Sequence, residues 1–186
     1  MAKTSPKKNP VKSKSEPTSY TTLDFAPGFW GKRWKEALII PLLAFALYWM
    51  CLPYGYVLDD QIVITDNKFT QKGVDGIWEI LSTESFTGYF GGQKDLVAGA
   101  RYRPLSIVTF AVEQTVFGDN TFIRHFINIL LYGLCGLLIF RIFSILLPEK
   151  QNTPWLLSIP FLAVVLYILH PVHSEVVANI KGRDEI

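Results

Sequence analysis

Three long stretches without a charged side chain constrain this chain more than anything else in its sequence. Residues 37–58, 126–140 and 155–169 contain no Asp, Glu, Lys or Arg, and the charges lie between these blocks. Crossing roughly 30 Å of hydrocarbon at about 1.5 Å per residue takes about 20 helical residues. The first block is long enough outright. The second becomes so if Arg141 snorkels to the interface and residues 142–147 extend the helix. The third does if it runs to about residue 172. These blocks predict an all-α integral membrane protein with about three transmembrane helices, near residues 37–56, 122–147 and 155–172, plus juxtamembrane amphipathic helices. A net charge of +2 gives no reason to expect nucleic acid as a partner.

Residues 1–35 read as a disordered basic tail, with Lys3, Lys7, Lys8, Lys12 and Lys14, and residues 36–186 as the membrane domain. Lys32, Arg33 and Lys35 precede the first block, which marks a retained signal anchor with a cytoplasmic N-terminus. Residues 57–121 then form an external loop. Within it, Ile77, Ile80 and Leu81 beside Trp78 predict one short interfacial helix. Pro104 opens a helix over 105–117 with a polar stripe (Ser106, Thr109, Glu113) and an apolar one (Leu105, Val108, Val112, Val116), expected to lie at the membrane surface. Pro160 is expected to kink the third span. Cys51 and Cys135 fall in separate apolar blocks with no reason to pair, and Gly133 and Gly136 suggest close helix packing.

This topology sends two polar clusters to one side. The first is Asp59 and Asp60, directly after the first span. They read either as a general base with a neighbour that tunes it, or as solvated acids that orient the helix. The second, from His170 to Arg183, follows the third span. His170, His173 and Glu175 could ligate a divalent cation, and Glu175 could equally be a second active-site carboxylate. The alternative is an ordinary helix exit with interfacial histidines. Arg101 and Arg103 stand at the mouth of the helix that Pro104 opens. Their guanidiniums, with Arg183, suit a lipid-linked phosphate, or serve as headgroup anchors.

The order of these motifs resembles a known family. Acids after the first span, Tyr-Arg-Pro-Leu-Ser at residues 102–106, a second span containing Asn128, and His-Pro-Val-His-Ser-Glu-Val-Val-Ala-Asn-Ile-Lys-Gly-Arg at 170–183 are similar to the transmembrane and tetratricopeptide-repeat O-mannosyltransferases. These lie within the protein O-mannosyltransferase superfamily, with the GT-C fold. The resemblance runs from about residue 34 to the end. It implies a partial GT-C glycosyltransferase that takes a sugar, typically mannose, from a polyprenyl- or dolichyl-phosphate carrier and passes it to Ser or Thr hydroxyls of an acceptor protein. It further implies catalytic roles for Asp59 or Asp60 and Glu175, and phosphate contacts for Arg103 and Arg183. The membrane would be the plasma or inner membrane of a bacterium, or the endoplasmic reticulum of a eukaryote. Family members carry more spans and a C-terminal array of helical repeats. The 186 residues are therefore expected to be an N-terminal fragment, inactive by itself. The competing expectation is a non-catalytic membrane anchor or scaffold whose external loop binds a partner.

Overall fold

The computed structural model describes residues 28–57, 59–92, 102–147 and 153–186. The expected disorder of the tail falls largely outside these residues, as does Arg101. Among the described residues the chain is all-helical, in two layers. The apolar layer holds α1 (Phe29–Lys32), α2 (Trp34–Tyr48) with a 3-10 turn at Trp49–Cys51, α7 (Thr121–Leu146) and α8 (Ile159–Leu169) after a 3-10 turn at Trp155–Leu157. The polar layer, called the cap below, holds a π-helical turn at Gln61–Thr65, α3 (Lys68–Gln71), a 3-10 turn at Gly73–Gly76, α4 (Ile77–Ser82), α5 (Thr87–Phe90), α6 (Pro104–Phe117), α9 (His173–Ala178) and a last 3-10 segment at Ile180–Glu185.

The apolar layer closes because α7 carries glycines where its neighbours cross. A Cβ on Gly133 would meet Pro41 at 3.1 Å, and one on Gly136 would meet Ile168 and Ile40 at 3.1 Å. Ile40, Ala44, Tyr132, Phe140, Phe161, Val164 and Ile168 fill the seam. The outer faces are leucine-rich: Leu42 is 55%, Leu138 56% and Leu166 70% exposed. So large an apolar surface is abnormal for a water-soluble domain and fits a hydrocarbon surrounding. Two helices, Trp34–Cys51 and Thr121–Leu146, are long and apolar enough to cross a membrane.

The third apolar block behaves differently. Its helix α8 has 11 residues, a rise of roughly 17 Å and about half the hydrocarbon thickness. Pro160 lies in its first turn, where a missing N–H costs nothing, and so introduces no kink. Ser158 caps this turn by accepting from Phe161 N. The helix ends where Ile168 meets Tyr132 and Gly136, partway along α7. From there α9 and the 3-10 segment continue along α7 to Asn128 and Arg124.

The glycine-rich loop is built from short helical turns, more of them than the single helix that its periodicity predicts. Asn67 organises them. Its Oδ1 accepts from Phe69 N and Thr70 N, while its Nδ2 donates to the carbonyls of Ile62 and Ser85. Gly88 packs so closely that a Cβ there would fall 2.1 Å from Asn67 Oδ1. In α6 the polar stripe turns inward at Glu113, which is buried, whereas Leu105 of the apolar stripe is 75% and Val116 62% exposed. The outward stripe has the character of an interfacial helix.

Candidate functional site

The two polar clusters of the sequence meet. Asp60 is fully buried. Its Oδ2 accepts from Val57 N at 2.9 Å, and its Oδ1 accepts from Lys181 N at 2.7 Å, a residue 121 positions away. Burial pushes the Asp60 carboxyl up from its ordinary range, against the two amide donors and nearby His125. Asp59, its neighbour, is half-exposed, with Lys181 Nζ 3.7 Å from its Oδ2. The acidic pair thus divides. Asp60 is consumed by the backbone, and Asp59 is reachable from solvent.

Arg183 lies at the bottom of the second cluster, buried among four partners. Its Nε donates to Asn128 Oδ1 at 2.7 Å, and its Nη1 to Thr109 Oγ1 at 2.7 Å and to Glu113 Oε1. Its Nη2 donates to Glu113 Oε2 and to the Arg124 carbonyl. All five N–H groups of the guanidinium are engaged, and its plane stacks 4.3 Å from the Phe110 ring centroid. In this arrangement no donor of Arg183 is left for a phosphate. Burial pushes the Glu113 carboxyl up, while the charges of Arg183 and Arg124 pull it back.

Asn128 completes this hub by donating to the carbonyls of Asn179 and Ile180. Gly182 lets the segment turn there, because a Cβ would fall 2.2 Å from the Val176 carbonyl oxygen. Arg124 donates to Gln114 Oε1 at 2.6 Å and lies over the Tyr56 ring, but its Nε and Nη1 are buried without an acceptor. The pair Arg124 and His125, on the α7 face that also bears Asn128, is the largest feature that the motif reading missed. The signal was present as two consecutive polar residues, one turn before Asn128, at the start of an apolar helix.

Arg103 is 43% exposed and pairs through Nη1 with Asp184 Oδ2 at 2.8 Å and Glu185 Oε1 at 3.3 Å. A cavity of about 430 Å³ opens beside it, lined by Tyr102, Arg103, Ser106, Thr109, Leu131 and Asp184 among others. Glu175 is exposed on α9, away from these contacts. His170 and His173 stand with ring centroids 6.1 Å apart, His173 packed on Tyr167. They lie at one end of an apolar groove of about 630 Å³ between α7 and α8. Among the described residues no group of three or more His, Cys, Asp or Glu stands close enough to hold a metal ion. His170 Nδ1 accepts from Val172 N. Two imidazoles, one with its Nδ1 lone pair directed at the backbone, fall short of the donor set that a divalent cation usually takes.

No family model matches the chain, and no solved structure does. Curated proteins do. The chain is 29% identical over 154 residues to Protein O-mannosyl-transferase F38B6.6 of Caenorhabditis elegans, covering 82% of this chain and 21% of that protein. It is 30% identical over 142 residues to Protein O-mannosyl-transferase TMTC1 of Homo sapiens (73% and 15%). It is also 28% identical over 171 residues to Protein O-mannosyl-transferase TMTC4 of Mus musculus (86% and 21%). The chain therefore spans about a fifth or less of the length of these relatives. Within that span, the similarity read from the motifs is borne out, and the chain is a relative of the TMTC-type protein O-mannosyl-transferases.

Proposed function

We propose that this chain forms part of a multi-pass GT-C-type membrane glycosyltransferase that moves a sugar, mannose by analogy with its relatives, from a polyprenyl- or dolichyl-phosphate carrier to a Ser or Thr hydroxyl of a protein. The N-terminus is cytoplasmic, α2 and α7 cross the bilayer, and α8 with the segment that follows returns the chain to the external side. The observation that carries this reading is the bond between Asp60 and Lys181 N, which brings the acidic motif and the last polar motif into one place. The relatives' names supply the chemistry.

Asp59 is the base of this mechanism. Its carboxylate takes the proton of the acceptor hydroxyl as the oxygen attacks the anomeric carbon. The carbon–oxygen bond to the carrier breaks on the opposite face, and the electron pair leaves with the lipid phosphate, inverting the centre. Asp60 positions Asp59 by pinning the backbone on both sides. Arg103, the exposed arginine, faces the departing phosphate, and Arg183 holds the segment that carries its partner Asp184. Glu175, exposed on α9, is the second carboxylate of this proposal. Replacement of Asp59 by Asn in the complete protein, assayed with dolichyl-phosphate mannose and a Ser/Thr peptide, should lower kcat by about 10²–10⁴ with unchanged melting temperature. Undiminished transfer by that variant would remove Asp59 from the mechanism. A non-catalytic anchor would show no transfer in the wild type.

A further inference from the structure

The chain turns back after α8 at a level deep within the apolar layer, and it does so with polar side chains outward. Helix α7 runs from Thr121 to Leu146. Tyr132 therefore lies roughly 17 Å from one end of α7 and roughly 21 Å from the other, at 1.5 Å per residue. It is also near the centre of the uncharged block 126–140. At this level α8 ends, with the Tyr132 hydroxyl 3.3 Å from the carbonyls of both Tyr167 and Ile168. The His173 ring packs on Tyr132 with centroids 5.6 Å apart, and His170 stands 6.1 Å from His173. Helix α9 then climbs only one turn of α7, because Asn128 already holds the carbonyls of Asn179 and Ile180. Both ends of the run 170–179 are thus tied to α7 inside its uncharged block.

His170, Ser174 and Glu175 are nevertheless exposed. Among the described residues no side chain pairs with the Glu175 carboxylate. Elsewhere around α7 the exposed residues at this level are leucines, Leu130 at 56% and Leu134 at 49%. One depth of the molecule therefore presents two unlike faces. A carboxylate is costly in hydrocarbon, and ionisable groups at such depth face a protein interior or a water-filled cavity. We infer that residues 170–175 line a water-filled vestibule that descends from the external side along α9 and ends at the His170–His173 pair. A helix packed on this turn would have to carry matching cations into the bilayer, whereas water satisfies the carboxylate and imidazoles as they stand. The segment also leads directly to Lys181, beside half-exposed Asp59, so it opens on the solvent side of the cap. Past the histidines the lining turns apolar, since Ile139, Ile142, Phe143 and Leu166 wall the groove that begins there. Water stops where that groove starts. The inference goes beyond sugar transfer and requires only that α7 crosses the bilayer.

The test is thiol accessibility in the complete protein, with its native cysteines replaced by Ala, in lipid vesicles whose outer face is the external side. The probe is a trimethylammonium-bearing methanethiosulfonate, which does not cross bilayers. Ser174→Cys should react about tenfold faster or more than Leu134→Cys at the same depth, because the reactive thiolate forms in water and is suppressed in apolar surroundings. It should also outpace Leu166→Cys, although Leu166 is 70% exposed in the apolar groove. The Ser174 hydroxyl donates to the Pro171 carbonyl. If its loss prevents folding, Val172→Cys, at a position 63% exposed, replaces it with the same expected rate. Reaction at residue 174 or 172 as slow as at the leucines would overturn the inference, because lipid or another helix would then cover the turn. Fast reaction at every position would also overturn it, by placing α7 itself in water. The Asp59→Asn transfer assay decides the transferase reading independently of either result.

Discussion

The apolar layer and the cap of this protein achieve close packing by opposite means. Between α2, α7 and α8 the contact is a matter of shape: Gly133 and Gly136 remove side chains so that Pro41, Ile40 and Ile168 can approach. In the cap the contact is a matter of satisfied polarity. Asn67, Asp60, Asn128 and Arg183 each tie their own segment by hydrogen bonds to one that is distant in sequence. In hydrocarbon there is little hydrophobic drive between helices, so close approach has to supply the association. A cap bordering water can hold short, weak helices by tying their ends to buried polar hubs, at the risk that losing one partner strands another.

The largest break in this comparison should come from Glu113→Ala. It leaves Arg183 buried without its counter-charge and should cost about 3–5 kcal/mol, read as loss of folded protein in detergent by thermal denaturation. Gly136→Leu attacks the other mode of packing. Overpacking against Ile40 and Ile168 should cost about 1–3 kcal/mol. If this substitution proved more damaging than Glu113→Ala, the contrast between the two layers would collapse.

A smaller effect sharpens the role of Asp60. Its folded pKa lies above the ordinary 3.8 because burial disfavours the charged form. The neutral carboxyl is therefore favoured in the fold. Its contribution to stability is fully present below the ordinary value and is lost as pH rises through the folded value. Melting temperature should fall over that interval in the wild type, and Asp60→Asn should flatten the fall. A slope as steep in the variant would assign it to another group. The smallest effect should come from Lys72→Ala, which breaks a surface ion pair with Glu79. No change in melting temperature is expected, because solvent screens such pairs.

Much of the apolar layer was legible in the sequence. The expected second span, 122–147, differs from α7 by one residue at each end, and Pro104 opens α6 as its position predicts. The third block misled because a run of apolar residues gives length but not where a helix stops. Here Ser158 caps it late and the chain leaves the helix at His170. The meeting of Asp60 with the C-terminal motif followed from topology alone. The pairing of Glu113 with Arg183 did not. Periodicity placed Glu113 on a polar stripe, yet it says nothing about whether that stripe meets water or a buried cation. The helical turns of the loop were hidden for a related reason. Their order comes from the bonds of Asn67, and residue-by-residue propensity does not register them.

The bond from Asp60 to Lys181 also has a consequence for how the protein is made. Asp60 emerges from the ribosome 121 residues before its partner. At about 5–20 residues per second, the loop after the first apolar helix waits roughly 6–24 s before the amide that clasps it exists. During this interval both α7 and α8 are synthesised and packed against the first apolar helix. Biogenesis of the first loop is thus timed by the last segment. A translational pause or a targeting delay anywhere between them prolongs the exposure of a half-assembled cap to the quality-control machinery of its membrane.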